Sequence, residues 1–151
     1  MDLQTALPLL LPRAIAWAEA EANAVAATAQ VLSDSGQDVA RRVGVERPTL
    51  IRVAHVDLLP MPQDPALQAA AIQTGLLGPH MAGLTLGYSV FVRRGHATWR
   101  LLSHEFRHVY QYEQAGSISL FLPIYLQQIV QYGYANAPFE VDARAHEDIA
   151  P

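Results

Sequence analysis

Apolar positions recur at helical spacing between Arg13 and Leu32, where Ile15, Ala18, Ala22, Val25 and Ala29 mark one face of an alanine-rich segment. Ser33-Asp34-Ser35-Gly36 ends that predicted helix. Upstream, the apolar run from Ala6 to Leu11 is broken by Pro8 and followed by Pro12. Leu50, Ile51, Val53, Val56 and Leu58 predict a strand over Thr49–Leu58, entered after Pro48. Pro60, Pro62 and Pro65 mark a loop, and Ala66 to Thr74 reads as a short helix stopped by Gly75 and Gly78-Pro79. Leu84 to Val92, rich in β-branched and aromatic residues, predicts one strand, with Arg93-Arg94-Gly95 as its turn.

A helix is predicted from near Thr98 to Gln114, closed by Gly116 in a C′ position. Ser117 or Ser119 suits the cap of a further helix reaching about Tyr132, with a bend at Pro123. Gly133 to Pro138 is a loop, and Pro138 fits the first turn of a last helix. The expectation is a single α+β domain over 1–151, with helices on both sides of a small sheet in sequence order.

Composition narrows the field. The chain has 151 residues, 51% of them hydrophobic and 16% charged, which suits a domain with a buried core and excludes a disordered tail. Net charge is −4 and every basic residue is arginine. The two basic doublets, Arg41-Arg42 and Arg93-Arg94, have no interleaved aromatics, so nucleic acid is not an expected partner. The absence of cysteine removes disulfides, thiolate metal sites and a cysteine nucleophile together. No signal peptide and no membrane-spanning run is evident, so the expected location is cytoplasmic.

Chemistry enters at His104-Glu105-Phe106-Arg107-His108, an HExxH within the predicted helix. Histidines four residues apart stand about 40° apart around a helix and one turn above each other, so both can grip one ion. Glu105 then projects toward the open position of that ion, where a general base is needed. A zinc ion that does chemistry takes three protein ligands. Glu140, near the start of the last helix, is the leading third ligand and Asp142 the fallback. Ala143, one turn on from Glu140, is small enough to let two helices approach closely.

His104 to His108, followed by Gln111 and by Glu140-Val141-Asp142-Ala143, resembles the minimal bacterial gluzincin-type domains, which carry HExxHxxQ and a downstream E-x-[DE]-A segment. The likeness covers roughly residues 82–145. It implies a zincin-like peptidase fold in which His104, His108 and Glu140 hold Zn2+ and Glu105 is the base. Arg144 stands where larger gluzincins place an acid that orients a histidine ligand, and from there it could pair with Glu140.

Gln111 falls on the metal face of its helix, where it is either a partner of a ligand or an ordinary surface residue. Tyr132 and Tyr134 precede Glu140 closely and are candidate donors to an oxyanion. His55, His80, His96 and His146 lack ligand-like spacing. The favoured function is zinc-dependent peptide-bond hydrolysis of a peptide or protein substrate, with the strand Leu84–Val92 as an edge for substrate pairing. The alternatives are a zinc-stabilised binding or regulatory module and a helix that holds no metal at all.

Overall fold

Five of the six helices begin where a polar side chain takes up a free N–H of the first turn. In the computed structural model, which describes residues 2–148 and 150, Asp2 caps α1 (Leu3–Thr28) and Ser33 caps α2 (Asp34–Arg42). Asp64 caps α3 (Pro65–Thr74), accepting from the backbone of Ala66 and Leu67. Thr98 caps α4 (Trp99–Ala115), and Ser117 rather than Ser119 caps α5 (Ile118–Tyr132). The last helix, α6 (Pro138–Ala145), has no side-chain cap and starts on Pro138, whose missing N–H needs no partner there.

Three strands complete an α+β fold: β1 (Arg52–Val56), β2 (Gly83–Leu86) and β3 (Ser89–Arg93), in spatial order β1-β3-β2. β1 pairs parallel to β3, and β2 pairs antiparallel to it. The single strand expected over Leu84–Val92 is therefore a hairpin. Gly87 turns the chain at φ +66°, the position glycine takes in the tight turns that match strand twist. Both strands are largely buried, so the apolar run continues through the turn and hides it. The expected strand over Thr49–Leu58 shrinks to β1, because Pro48 starts a 3-10 turn through Leu50.

The strand period of two divides the sheet's faces. Val53, Val90 and Val92 pack with Val39 and Val43 from the α2 segment and with Phe106 and Val109 of α4. Leu84, Leu86 and Phe91 face the other way, onto Ala18, Ala22 and Val25 of α1. α5 packs against both α1 and α4, and α6 packs against α4 and α5.

The first helix starts ten residues earlier than the expected Arg13, at Leu3, and runs through Pro8 and Pro12. A proline inside a helix costs about 3 kcal/mol. Here the two prolines are one turn apart and both exposed, so the carbonyls they leave free, on Gln4 and Pro8, face the solvent side. Leu11, Ile15 and Trp17 of the same helix pack on the apolar cluster that includes Phe121 and Leu122. Tertiary burial outweighs the local penalty. Among the described residues no helix is long and apolar enough to cross a membrane.

Candidate metal centre

α4 places three kinds of side chain by its period. Phe106 and Val109 point into the core and are fully buried. Arg107 reaches sideways, donating to the Val43 carbonyl at 2.7 Å and holding both oxygens of Asp142 at 2.8 and 3.2 Å. His104 and His108 share the remaining face, with ring centroids 5.0 Å apart and nearly perpendicular.

α6 brings Glu140 against them. Its Oε1 lies 3.2 Å from His104 Nε2 and its Oε2 lies 3.0 Å from His108 Nε2. One donor atom from each residue lies within 4.8 Å of the other two, so His104, His108 and Glu140 could hold a metal ion. The fallback ligand Asp142 is turned away, engaged by Arg107 and Gln111. Ala143 is fully buried, one turn on from Glu140.

The outer nitrogens of both rings are held as well. His104 Nδ1 sits 2.9 Å from Glu147, whose other oxygen accepts from Arg100 Nε at 2.7 Å. His108 Nδ1 sits 2.8 Å from the Gln111 Oε1, and the Gln111 amide donates to the Phe139 carbonyl and to Asp142, each at 2.9 Å. With both Nδ1 atoms facing acceptors, both Nε2 atoms point at Glu140. Arg144 does not pair with Glu140: it donates to the carbonyl of Ala135. Asp142, set about 200° around α6 from Glu140, reaches His108 through Gln111 instead of directly.

Burial alone would raise the Glu140 carboxyl, but bonds from His104, His108 and Tyr125 reverse that and hold it far below the usual carboxylate range. Burial works against the charged form of His108, yet Glu140 beside it lifts the ring to about 9. His104 is raised in the same sense, with burial opposed by the Glu140 bond and the nearby Glu105 charge. In the metal-free protein the cluster is thus a carboxylate set between two rings that its charge shifts toward the protonated form. For Glu147, too, burial is outweighed, and Arg100 and His104 lower it.

Glu105 is buried beside the pair, and burial raises its carboxyl against the lowering influence of His108 and His104. Thr85 on β2 donates its hydroxyl to Glu105 Oε1 at 2.9 Å. A Cβ at Gly83 would sit only 3.0 Å from the Glu105 carboxyl, so a larger residue on that strand would push the carboxyl aside. Register explains why this strand serves the site. Leu84 and Leu86 turn their amides to β3, leaving the backbone of Gly83 and Thr85 on the outer edge. The Thr85 carbonyl there accepts from Tyr112 at 3.1 Å.

Tyr132, expected near the metal, lies at the exposed end of α5, because the residue before Gly133 faces outward. Tyr134 lines the same cavity as Glu105, His108 and Glu140, and burial and the Glu140 charge push its hydroxyl up. The phenol bonded to the cluster is Tyr125, which donates to Glu140 Oε2 at 2.8 Å. Tyr125, Glu147, Thr85 and Gly83 are the site residues that sequence reasoning missed. Glu147 alone had a signal, standing seven residues, about two helical turns, after Glu140. His55, His80 and His96 are exposed, and His146 bonds the Asp142 carbonyl at 2.8 Å. No protein-family model matches the chain, and no curated protein or solved structure matches it.

Proposed function

We propose that this chain is a zincin-like, zinc-dependent hydrolase that cleaves an amide bond, with the peptide bond as its first candidate substrate. The observation that carries the reading is the buried Glu105 carboxyl, held by Thr85 beside two histidines and a carboxylate whose free donor atoms converge. Two imidazole nitrogens and one carboxylate oxygen are the donor set of catalytic zinc, three protein ligands with one position left open. When bound, zinc brings the pKa of a water down to about 7 and polarises a carbonyl.

His104, His108 and Glu140 hold the ion in this reading, and Glu147 and Gln111 fix the ring orientations. Glu105 takes the proton of the attacking water and delivers it to the leaving amine. Its raised carboxyl suits a base that works near neutral pH. Tyr134, on the wall of the same cavity, is the phenol available to donate to the developing oxyanion. The outward backbone of Gly83 and Thr85 on β2, rather than the central β3, offers the edge against which an extended substrate can pair.

Glu105→Gln keeps the shape and removes the base. Peptide-library digestion by the zinc-loaded protein should fall by a factor of about 10² or more in this variant, with zinc content unchanged. Equal digestion by both would rule the mechanism out. A binding or regulatory module stabilised by zinc predicts no digestion by either protein.

A further inference from the structure

A cavity of about 160 Å³ opens from Glu105, His108 and Glu140 and runs between α1, α3 and α5. Its wall follows α1 from Leu3 to Ala18 and α5 from Phe121 to Val130. At 1.5 Å per residue the α1 wall alone is about 22 Å long. That is longer than any amino-acid side chain, while the volume is close to that of a core cavity able to hold benzene. The wall is therefore long beside the volume it lines.

Its polar and apolar parts are segregated. Among the described residues Glu105, His108 and Glu140 are the only carboxylate and imidazole groups on the wall, and they lie together with the outward backbone of Gly83 and Thr85. Elsewhere the wall is made of residues such as Leu7, Leu10, Leu67, Ala71, Leu77 and Leu126. The hydroxyls of Thr74, Tyr112 and Tyr125 on that wall already donate to Ala70, Thr85 and Glu140. A polypeptide threaded along this length would bury amides with no partner. A hydrocarbon chain would bury none.

We propose that the cavity takes the alkyl chain of an N-acyl substrate, with the acyl carbonyl at the Glu105 end. The placing of that chain on the acyl side of the cleaved bond rests on the hydrolytic reading above. In that reaction water adds OH to the acyl carbon and, through Glu105, a proton to the nitrogen. The C–N bond breaks, giving a carboxylic acid and an amine.

Trp17 lies on the cavity wall and Trp99 is the other of two tryptophans, so a Trp99→Phe protein reports the cavity by fluorescence. N-acylglycines from butanoyl to octanoyl, titrated into the metal-free and zinc-loaded full chain, should bind saturably and tighten roughly threefold per added methylene. Ala71→Phe, which fills the cavity from α3, should weaken N-octanoylglycine at least tenfold at unchanged zinc content. Affinity that does not depend on chain length overturns the assignment, as does equally tight octanoyl binding by a folded Ala71→Phe protein. If Ala71→Phe fails to fold, the chain-length series decides alone. Octanoyl binding with neither octanoate release nor peptide digestion beyond that of Glu105→Gln keeps the cavity assignment and sinks the hydrolytic reading. Peptide cleavage without acyl binding does the reverse.

Discussion

The metal cluster and the cavity beside it share Glu105, His108 and Glu140 but are built on opposite terms. In the cluster each ring nitrogen and each Glu140 oxygen has a partner, and those partners have partners: Arg100 behind Glu147, Asp142 behind Gln111, Arg107 behind Asp142. Along the cavity the wall offers carbon, and the hydroxyls of Thr74, Tyr112 and Tyr125 are spent elsewhere, leaving Tyr134 with the Glu140 end. A network of this kind fixes positions, because removing one member strands the next in low dielectric. An apolar wall fixes little and rejects only what it cannot solvate. Rigidity sits at the reacting end and tolerance along the chain-binding end.

The comparison can be broken most sharply at Glu140, the one residue both regions need for their shared boundary. Glu140→Ala should abolish tight metal binding and leave His104, His108 and the Tyr125 hydroxyl without their acceptor. For a residue only 1% exposed, the metal-free protein should lose about 3–5 kcal/mol, read by urea denaturation. Less severe is the loss of a support. Glu147→Gln or Gln111→Ala should lower zinc affinity by a factor of about 10–100, measured by competition with a chelator, while Ala71→Phe leaves it unchanged.

A pH titration sharpens the same contrast without mutation. The metal-free cluster is stabilising while Glu140 is ionised and His108 is charged. His108 is raised to about 9, so its contribution is complete below the unfolded value of 6.5 and fades as pH climbs through 9. Glu140 is lowered, so its contribution is present above the ordinary carboxyl value of 4.5 and is lost in strong acid. The melting temperature of metal-free protein should therefore fall on both sides of the range between about 5 and 8. Zinc uptake should release protons and strengthen as pH rises, because the ligand rings must be neutral. The smallest effect belongs to Tyr132→Phe. Its side chain lies at the exposed end of α5, so zinc content, turnover and acyl binding should match the parent protein.

How far the site could be read in advance follows from the kind of contact. His104 and His108 lie one turn apart on one helix with Glu105 next to the first, and local periodicity is enough to place them. Glu140 was findable because Pro138 marks where its helix starts and Ala143 marks a close-packed face. The supports were not, since they meet only in the folded chain. Thr85 reaches Glu105 across 20 residues, and Glu147 reaches His104 across 43 from beyond the end of α6. The Arg144 expectation went wrong because the fold gives that arginine the Ala135 carbonyl. Likewise the start of α1 was hidden by two prolines that only tertiary burial elsewhere on the helix makes tolerable. The hairpin was hidden because both of its strands are apolar.

β2 serves the two regions at once. Gly83 and Thr85 meet α4 and the Glu105 carboxyl, while Leu84 and Leu86 pack toward α1. The division between reacting end and apolar wall is therefore a matter of parity along four residues, set by where Gly87 turns the chain. A slip of one residue in that hairpin would swap the faces, presenting leucine to Glu105 and threonine to the core. Inserting or deleting a single residue at the turn is thus a change of chemistry, whereas the same edit in the Pro60–Pro65 loop changes only a length.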